Sequence, residues 1–172
     1  ISTDERRNSK MRVVVAIDSF KGSMSSLEAG EAISKGIRNA HMDAEVEIRP
    51  LADGGEGTVE ALSIGMGGGL INVDVTGPVG RKVNAVYGIV DSSKTAIIEM
   101  SQAAGITLVS GDEKNPLYTT TFGVGELIKD AINKGCRHFV VGIGGSATND
   151  CGIGMLQALG YEFLDKEGNQ VG

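Results

Sequence analysis

Tryptophan is missing from this sequence, prolines number only 3 and cysteines only 2 in 172 residues. There is no basic block, and the net charge is −6. A nucleic-acid surface draws its affinity from clustered Lys and Arg on phosphates, so that function class is set aside. No apolar run approaches the roughly 18 residues that a membrane-spanning helix requires, so no membrane partner is expected. Cys136 and Cys151 have neither disulfide-framework nor metal-ligand spacing, and free thiols in a cytoplasmic protein are the expectation. The polar start, Ile1–Lys10, lacks the apolar core of a secretory signal. It reads as a leader or an expression remnant.

What the chain has in excess is glycine, 26 residues without a repeating period. The glycines fall between hydrophobic segments, where tight turns or a close backbone approach to a ligand call for them. Met11–Ile17 is a continuous apolar run, the pattern of a strand buried on both faces. Ser25 with Glu28 three residues on forms a capping-box pattern. The helix it opens places Ala29, Ala32, Ile33, Gly36, Ile37 and Ala40 on one face. Ala44–Arg49 reads as a second strand and Thr58–Met66 as a short helix. This β-α-β-α order predicts a parallel sheet with crossover helices.

Leu70–Thr76, Val83–Val90 and Thr95–Met100 are strand-like, with short turns and no helix between them. Antiparallel pairing is the prediction, and the change of style puts a domain boundary near residue 70. Gly67-Gly68-Gly69 there is either a hinge or a turn. Val124, Leu127, Ile128, Ala131 and Ile132 then mark a helix ended by Gly135. His138–Ile143 reads as a buried strand, Cys151–Leu159 as a helix, and Tyr161–Leu164 as the start of a strand. The fold class expected is α/β.

Three polar loops follow three apolar strands, and ligands of open α/β sheets bind at the carboxyl ends of strands. The first, Asp18–Ser23, holds Ser19 and Lys21 ahead of a helix, a setting suited to an anion. The second is Asp53-Gly54-Gly55-Glu56-Gly57-Thr58. Its glycines allow close approach, and its acids suit Mg²⁺ or the role of a base. The third runs from Gly142 to Asp150. Its Gly144, Gly145, Ser146, Ala147, Thr148 and Asn149 supply amides and hydroxyls for a phosphate cradle.

A P-loop is absent, since no Gly-Lys pair occurs. Gly142-x-Gly144-x-x-Ala147 does satisfy a dinucleotide fingerprint, and Asp165 lies 18 residues past Ala147 as a candidate ribose-binding acid. An NAD-type oxidoreductase domain is therefore the alternative, and a non-catalytic ligand-binding fragment a third reading.

Taken together, Asp18–Ser23, Pro50–Thr58, Thr119–Ile128 and Gly144–Asp150 resemble the bacterial glycerate kinase family, over Met11 to Gly172. The resemblance implies a Rossmann-like domain beginning with residues 11–69 and a second, inserted α/β domain over 70–172, incomplete here. It implies transfer of phosphate from ATP, with Mg²⁺, to a hydroxyl of D-glycerate, in an enzyme compatible with homo-oligomerisation. Lys21 would neutralise a phosphate or carboxylate. Asp53 would serve as base or metal ligand, and Asp150 would support the metal. Two positions depart from the family pattern: Cys151 replaces a small, glycine-like residue and Ser101 a common alanine.

Overall fold

The computed structural model describes residues 10–20 and 23–171. Lys21 and all of the expected leader except Lys10 lie outside the described residues. The chain divides into two compact units, between Ala52 and Asp53.

The first unit is a β-α-β element. Strands β1 (Arg12–Ile17) and β2 (Glu45–Pro50) are parallel, in register from Arg12↔Glu45 to Ile17↔Pro50, with helix α1 (Ser26–Ala40) between them. The capping box forms as the sequence predicts. The Ser25 hydroxyl accepts the Glu28 amide at 3.2 Å, and the Glu28 carboxylate accepts the Ser25 amide at 2.8 Å. Two expectations are corrected. In β1 only Val15 is fully buried and Val14 is 61% exposed, so the strand is not enclosed on both faces within its unit. The buried line of α1 is Ser26, Ala29, Gly30 and Ser34, while Ala32, Ile33, Gly36 and Ala40 are exposed. Small residues won over the apolar stripe because the helix lies so near β2. A Cβ on Gly30 would come within 2.5 Å of the Ile48 side chain.

The second unit starts with α2 (Thr58–Gly65) and continues into a four-stranded mixed sheet of order β3-β4-β5-β6. Its strands are β3 (Gly69–Thr76), β4 (Lys82–Val90), β5 (Thr95–Glu99) and β6 (His138–Gly142). The β3-β4 and β4-β5 pairs are antiparallel, as the unbroken strand series predicts, and β5-β6 is parallel. Helices α3 (Ser101–Ala104), α4 (Phe122–Asn133) and α5 (Ile153–Ala158) complete the unit. The period of two sorts the sheet residues onto two faces. Tyr87, Ile89, Ala96 and Ile98 join Ala103, Ala104, Val124, Leu127 and Ala131 in the larger core. Val90 and Ile97 meet Val59 of α2 on the other side. This packing explains why the units divide before α2, although the change of strand style comes near residue 70. Gly67-Gly68-Gly69 is a tight turn: Gly67 is left-handed, and a Cβ on Gly68 would sit 2.6 Å from the Ile89 carbonyl oxygen.

Helix α4 ends in a Schellman motif at Gly135, φ 93°. The Gly135 amide donates to the Ile132 carbonyl and the Cys136 amide to that of Ala131, both at 3.0 Å. Two further expectations change. Strand β6 lies at the sheet edge with Val140 and Val141 partly exposed, so it is not a buried strand. Tyr161–Leu164 forms no strand. It leads into a turn that the Asp165 carboxylate closes by accepting the Glu167 and Asn169 amides at 2.9 and 2.8 Å.

Candidate functional site

Two glycine-rich loops of the second unit meet at the carboxyl ends of β5 and β6. The Asp53–Thr58 loop closes on itself. Asp53 Oδ1 accepts the Gly55 amide at 3.0 Å. The Thr58 hydroxyl accepts the Gly54 amide at 3.1 Å and donates to the Gly55 carbonyl at 2.8 Å. Gly54 and Gly57 have φ near +90°, a conformation open to glycine at little cost.

The second loop is built onto the first, backbone against backbone. The Gly144 amide donates to the Gly54 carbonyl at 3.0 Å. A Cβ on Gly142 would lie 2.5 Å from the Gly54 oxygen, and one on Gly144 would lie 2.8 Å from Gly55 Cα. These glycines serve contact between loops. Gly142 has an ordinary negative φ, so the cost of replacing it is steric. Gly142→Ala is expected to destabilise the protein by about 1–3 kcal/mol, the usual range for overpacking. A denaturation midpoint equal to the parent's would refute this.

The hydroxyls expected to cradle phosphate are already engaged. Ser146 Oγ accepts the Thr148 amide at 3.1 Å and donates to the Thr148 carbonyl at 2.9 Å. Thr148 Oγ1 donates to the Thr119 carbonyl at 2.8 Å and accepts the Asp150 amide at 3.2 Å. In the other direction the Thr119 hydroxyl donates to the Ala147 carbonyl at 2.9 Å. Ser146 and Thr148 thus shape the loop around its backbone amides.

Asp150 ties the loop to the segment before α4. Its carboxylate accepts the Thr121 amide and hydroxyl, each at 2.8 Å, and the Gly152 and Gly154 amides at 3.0 and 3.2 Å. The Thr121 hydroxyl in turn accepts the Met155 amide at 2.9 Å. Burial opposes ionisation of Asp150, but the bonds from Thr121, Gly152 and Gly154 outweigh it and hold the carboxyl below the ordinary aspartate range. Next to it, Cys151 has φ 55°, where only glycine is comfortable. That accounts physically for the preference for a glycine-like residue noted at this position.

The structure brings Asp53, Gly54, Gly55, Glu56, Gly57 and Thr58 together with Gly144, Gly145, Ser146, Ala147, Thr148, Asn149 and Asp150. Ser19 belongs to the first unit, where its amide donates to Asp18 Oδ1 at 2.7 Å. Among the described residues no group of three or more His, Cys, Asp or Glu is arranged to hold a metal. Sequence reasoning missed two contributors. One is the Thr119–Thr121 brace, which lies in a segment quoted for the resemblance but was given no place in the site. The other is Glu99, a single acid ending an apolar strand, 1% exposed, whose Oε1 accepts the Val59 amide at 2.7 Å.

The dinucleotide reading fails on geometry. The fingerprint needs a helix to begin within the glycine loop, so that its N-terminus faces a pyrophosphate. Here Ala147 donates its amide to the Ala104 carbonyl at 2.8 Å, and the helix begins only at Ile153. Asp165, the candidate ribose-binding acid, is committed to its own turn.

A family model described as the glycerate kinase family matches residues 13–172. The chain belongs to the glycerate kinase family. It is 49% identical to a glycerate kinase of Bacillus subtilis strain 168 and to a glycerate 2-kinase of Escherichia coli strain K12. Each match covers 94% of this chain and 42% of the relative. Among solved structures it is similar to a putative glycerate kinase 2 from Salmonella typhimurium LT2, with a TM-score of 0.86 and 48% identity. That match covers 95% of this chain and 44% of the other. The chain thus spans well under half the length of the glycerate kinases it matches. No described helix is long and apolar enough to cross a membrane.

Proposed function

We propose that this glycerate kinase chain takes part in transferring the γ-phosphate of ATP to the 2-hydroxyl of D-glycerate, in the cytoplasm. The observation that carries the reading is the joining of the Asp53–Thr58 and Gly142–Asp150 loops, Gly144 to Gly54, at the carboxyl ends of β5 and β6. The name of the Escherichia coli relative supports the 2-position. Free Cys136 and Cys151 suit a reducing compartment. We read the unit before Asp53 as the start of a Rossmann-like domain and the unit from Asp53 onward as part of an inserted one.

Phosphoryl transfer asks a protein chiefly for placement and charge neutralisation. The amides of Gly144, Ala147 and Thr148 are engaged within the fold, so those of Gly145, Ser146 and Asn149 are the ones to bind oxyanions of the reactants, and Glu56 with Gly55 and Gly57 frames the facing wall. Mg²⁺ is commonly held by one or two carboxylates together with nucleotide phosphates. Asp53 fits that role. Asp150 does not, because its oxygens already accept four donors. Bound Mg²⁺ would offset phosphate charge. Asp150 instead fixes the loop that carries the amides.

Lys21 adds a positive charge on the reactants. Lys21→Ala in the full-length protein is expected to cut D-glycerate-dependent ADP formation by at least about 100-fold, the order of one lost electrostatic contact to a developing charge. Turnover near the parent's in a coupled ADP assay removes Lys21 from the mechanism.

A further inference from the structure

A carboxylate as buried as that of Glu99 is costly unless hydrogen bonds compensate it. Both oxygens face donors. Oε1 accepts the Val59 amide at 2.7 Å, and Oε2 lies 3.4 Å from the Ser101 hydroxyl. Val59 is in the first turn of α2, whose N-cap, Gly57, has no side chain to accept that amide. Glu99 therefore supplies, from 40 residues away, the cap that α2 lacks. Its negative charge also faces the positive end of the helix.

The placement matters for the site. Glu99 ends β5 and is in register with Gly142, and the Met100 amide donates to the Gly142 carbonyl at 2.9 Å. The Asp53–Thr58 loop is thus attached at both ends to one rigid strand pair. Gly54 binds Gly144 just past β6, and Val59 binds Glu99 at the end of β5. Between these attachments lie Gly55, Glu56 and Gly57, the residues proposed to face the reactants. A helix end already occupied by a protein carboxylate is also closed to a substrate anion. That leaves anion binding to the Gly145, Ser146 and Asn149 amides of the facing loop.

We propose that Glu99 is a positioning residue of the phosphoryl-transfer site, holding the Asp53–Thr58 loop in the pose that turnover requires. The role in turnover rests on the function proposed above, whereas the attachment itself does not. In Glu99→Gln the side chain keeps its size and one acceptor but loses its charge. In Glu99→Ala the attachment is gone.

The test on the full-length protein combines steady-state kinetics for D-glycerate and ATP with hydrogen exchange at the amides of Gly55–Val59 and Gly144. The expected result is that Glu99→Ala lowers kcat at least tenfold, changes each KM less than threefold, and speeds exchange at Val59 at least tenfold. Glu99→Gln should recover most of both. A kcat that falls only as far as the folded fraction falls would overturn the proposal. So would a Val59 amide that exchanges at the parent rate, or a Gln variant no better than Ala. If Glu99→Ala does not fold, Glu99→Asp, which withdraws the carboxylate by one methylene, decides: faster Val59 exchange with a lower kcat at unchanged KM supports the role, and faster Val59 exchange with parental kcat, or a Val59 amide that exchanges at the parent rate, overturns it. Absence of glycerate turnover in the parent would defeat the functional reading. The exchange measurement would then still decide whether Glu99 holds the loop.

Discussion

Replacing Asp53 by Asn is expected to lower kcat for D-glycerate-dependent ADP formation by about 100- to 10,000-fold, the range typical for a directly acting catalytic group. Asp53 is the proposed carboxylate for Mg²⁺, and it sits at the start of a loop folded tightly enough to hold it in place. Its Oδ1 already accepts the Gly55 amide at 3.0 Å. Asn can keep that acceptor and with it the Gly55 turn, so the loss should appear in turnover while that turn is retained. The metal role makes a second expectation. The residual activity of Asp53→Asn should need more Mg²⁺ to saturate, with the shape of the pH–rate profile retained. A parental Mg²⁺ requirement with a lost acidic limb would assign Asp53 as the base that accepts the hydroxyl proton. Activity within a few-fold of the parent would remove Asp53 from the chemistry.

Asp150→Asn is expected to destabilise the second unit by about 2–4 kcal/mol, because charge-assisted bonds are worth roughly 1.5–3 kcal/mol each and are not additive. The donors around Asp150 include the amides of Thr121, Gly152 and Gly154. An Asn side chain turns its own N–H donors towards some of them in either orientation, leaving buried groups unpaired. The effect has a defined pH dependence. The folded pKa of Asp150 lies below its ordinary value. Its contribution is therefore complete above the ordinary aspartate range and is lost as pH falls through the depressed folded value. The gap between parent and variant, read from urea midpoints, should be full at neutral pH and should close in strong acid. A gap constant from neutral pH to below the ordinary aspartate pKa would show that the charge of Asp150 contributes nothing. Kinetically the variant should lose activity as well, since the Gly142–Asp150 loop is fixed to Thr121 by this one carboxylate.

The local grammar of the fold was readable from particular residues. Ser25 and Glu28 announced the start of α1, Gly135 the end of α4, and the turn-separated strands between residues 70 and 100 announced antiparallel pairing. Depth of burial was not readable in the same way. The apolar run at Met11–Ile17 looks like an enclosed strand, yet what covers a strand depends on its neighbours in space. In α1 the sequence offered a good apolar stripe, but the short distance to Ile48 selected Gly30 and Ala29. The two site loops were found because glycine clusters beside polar residues are conspicuous. Their chemistry was misread in part, since a hydroxyl in such a loop serves equally well to fold it, as Ser146 and Thr148 do. Glu99 was invisible because its partner amide is 40 residues away, and no local pattern links an acid at a strand end to an uncapped helix.

The two joined loops are proposed to belong to a site that phosphorylates D-glycerate. The most direct measurement is ³¹P nuclear magnetic resonance of the full-length protein with D-glycerate, ATP and Mg²⁺. ADP and a new phosphate monoester at the 2-position of glycerate are expected, formed at equal rates and absent without D-glycerate. ATP left intact, or converted to inorganic phosphate at a rate indifferent to D-glycerate, would contradict the proposal.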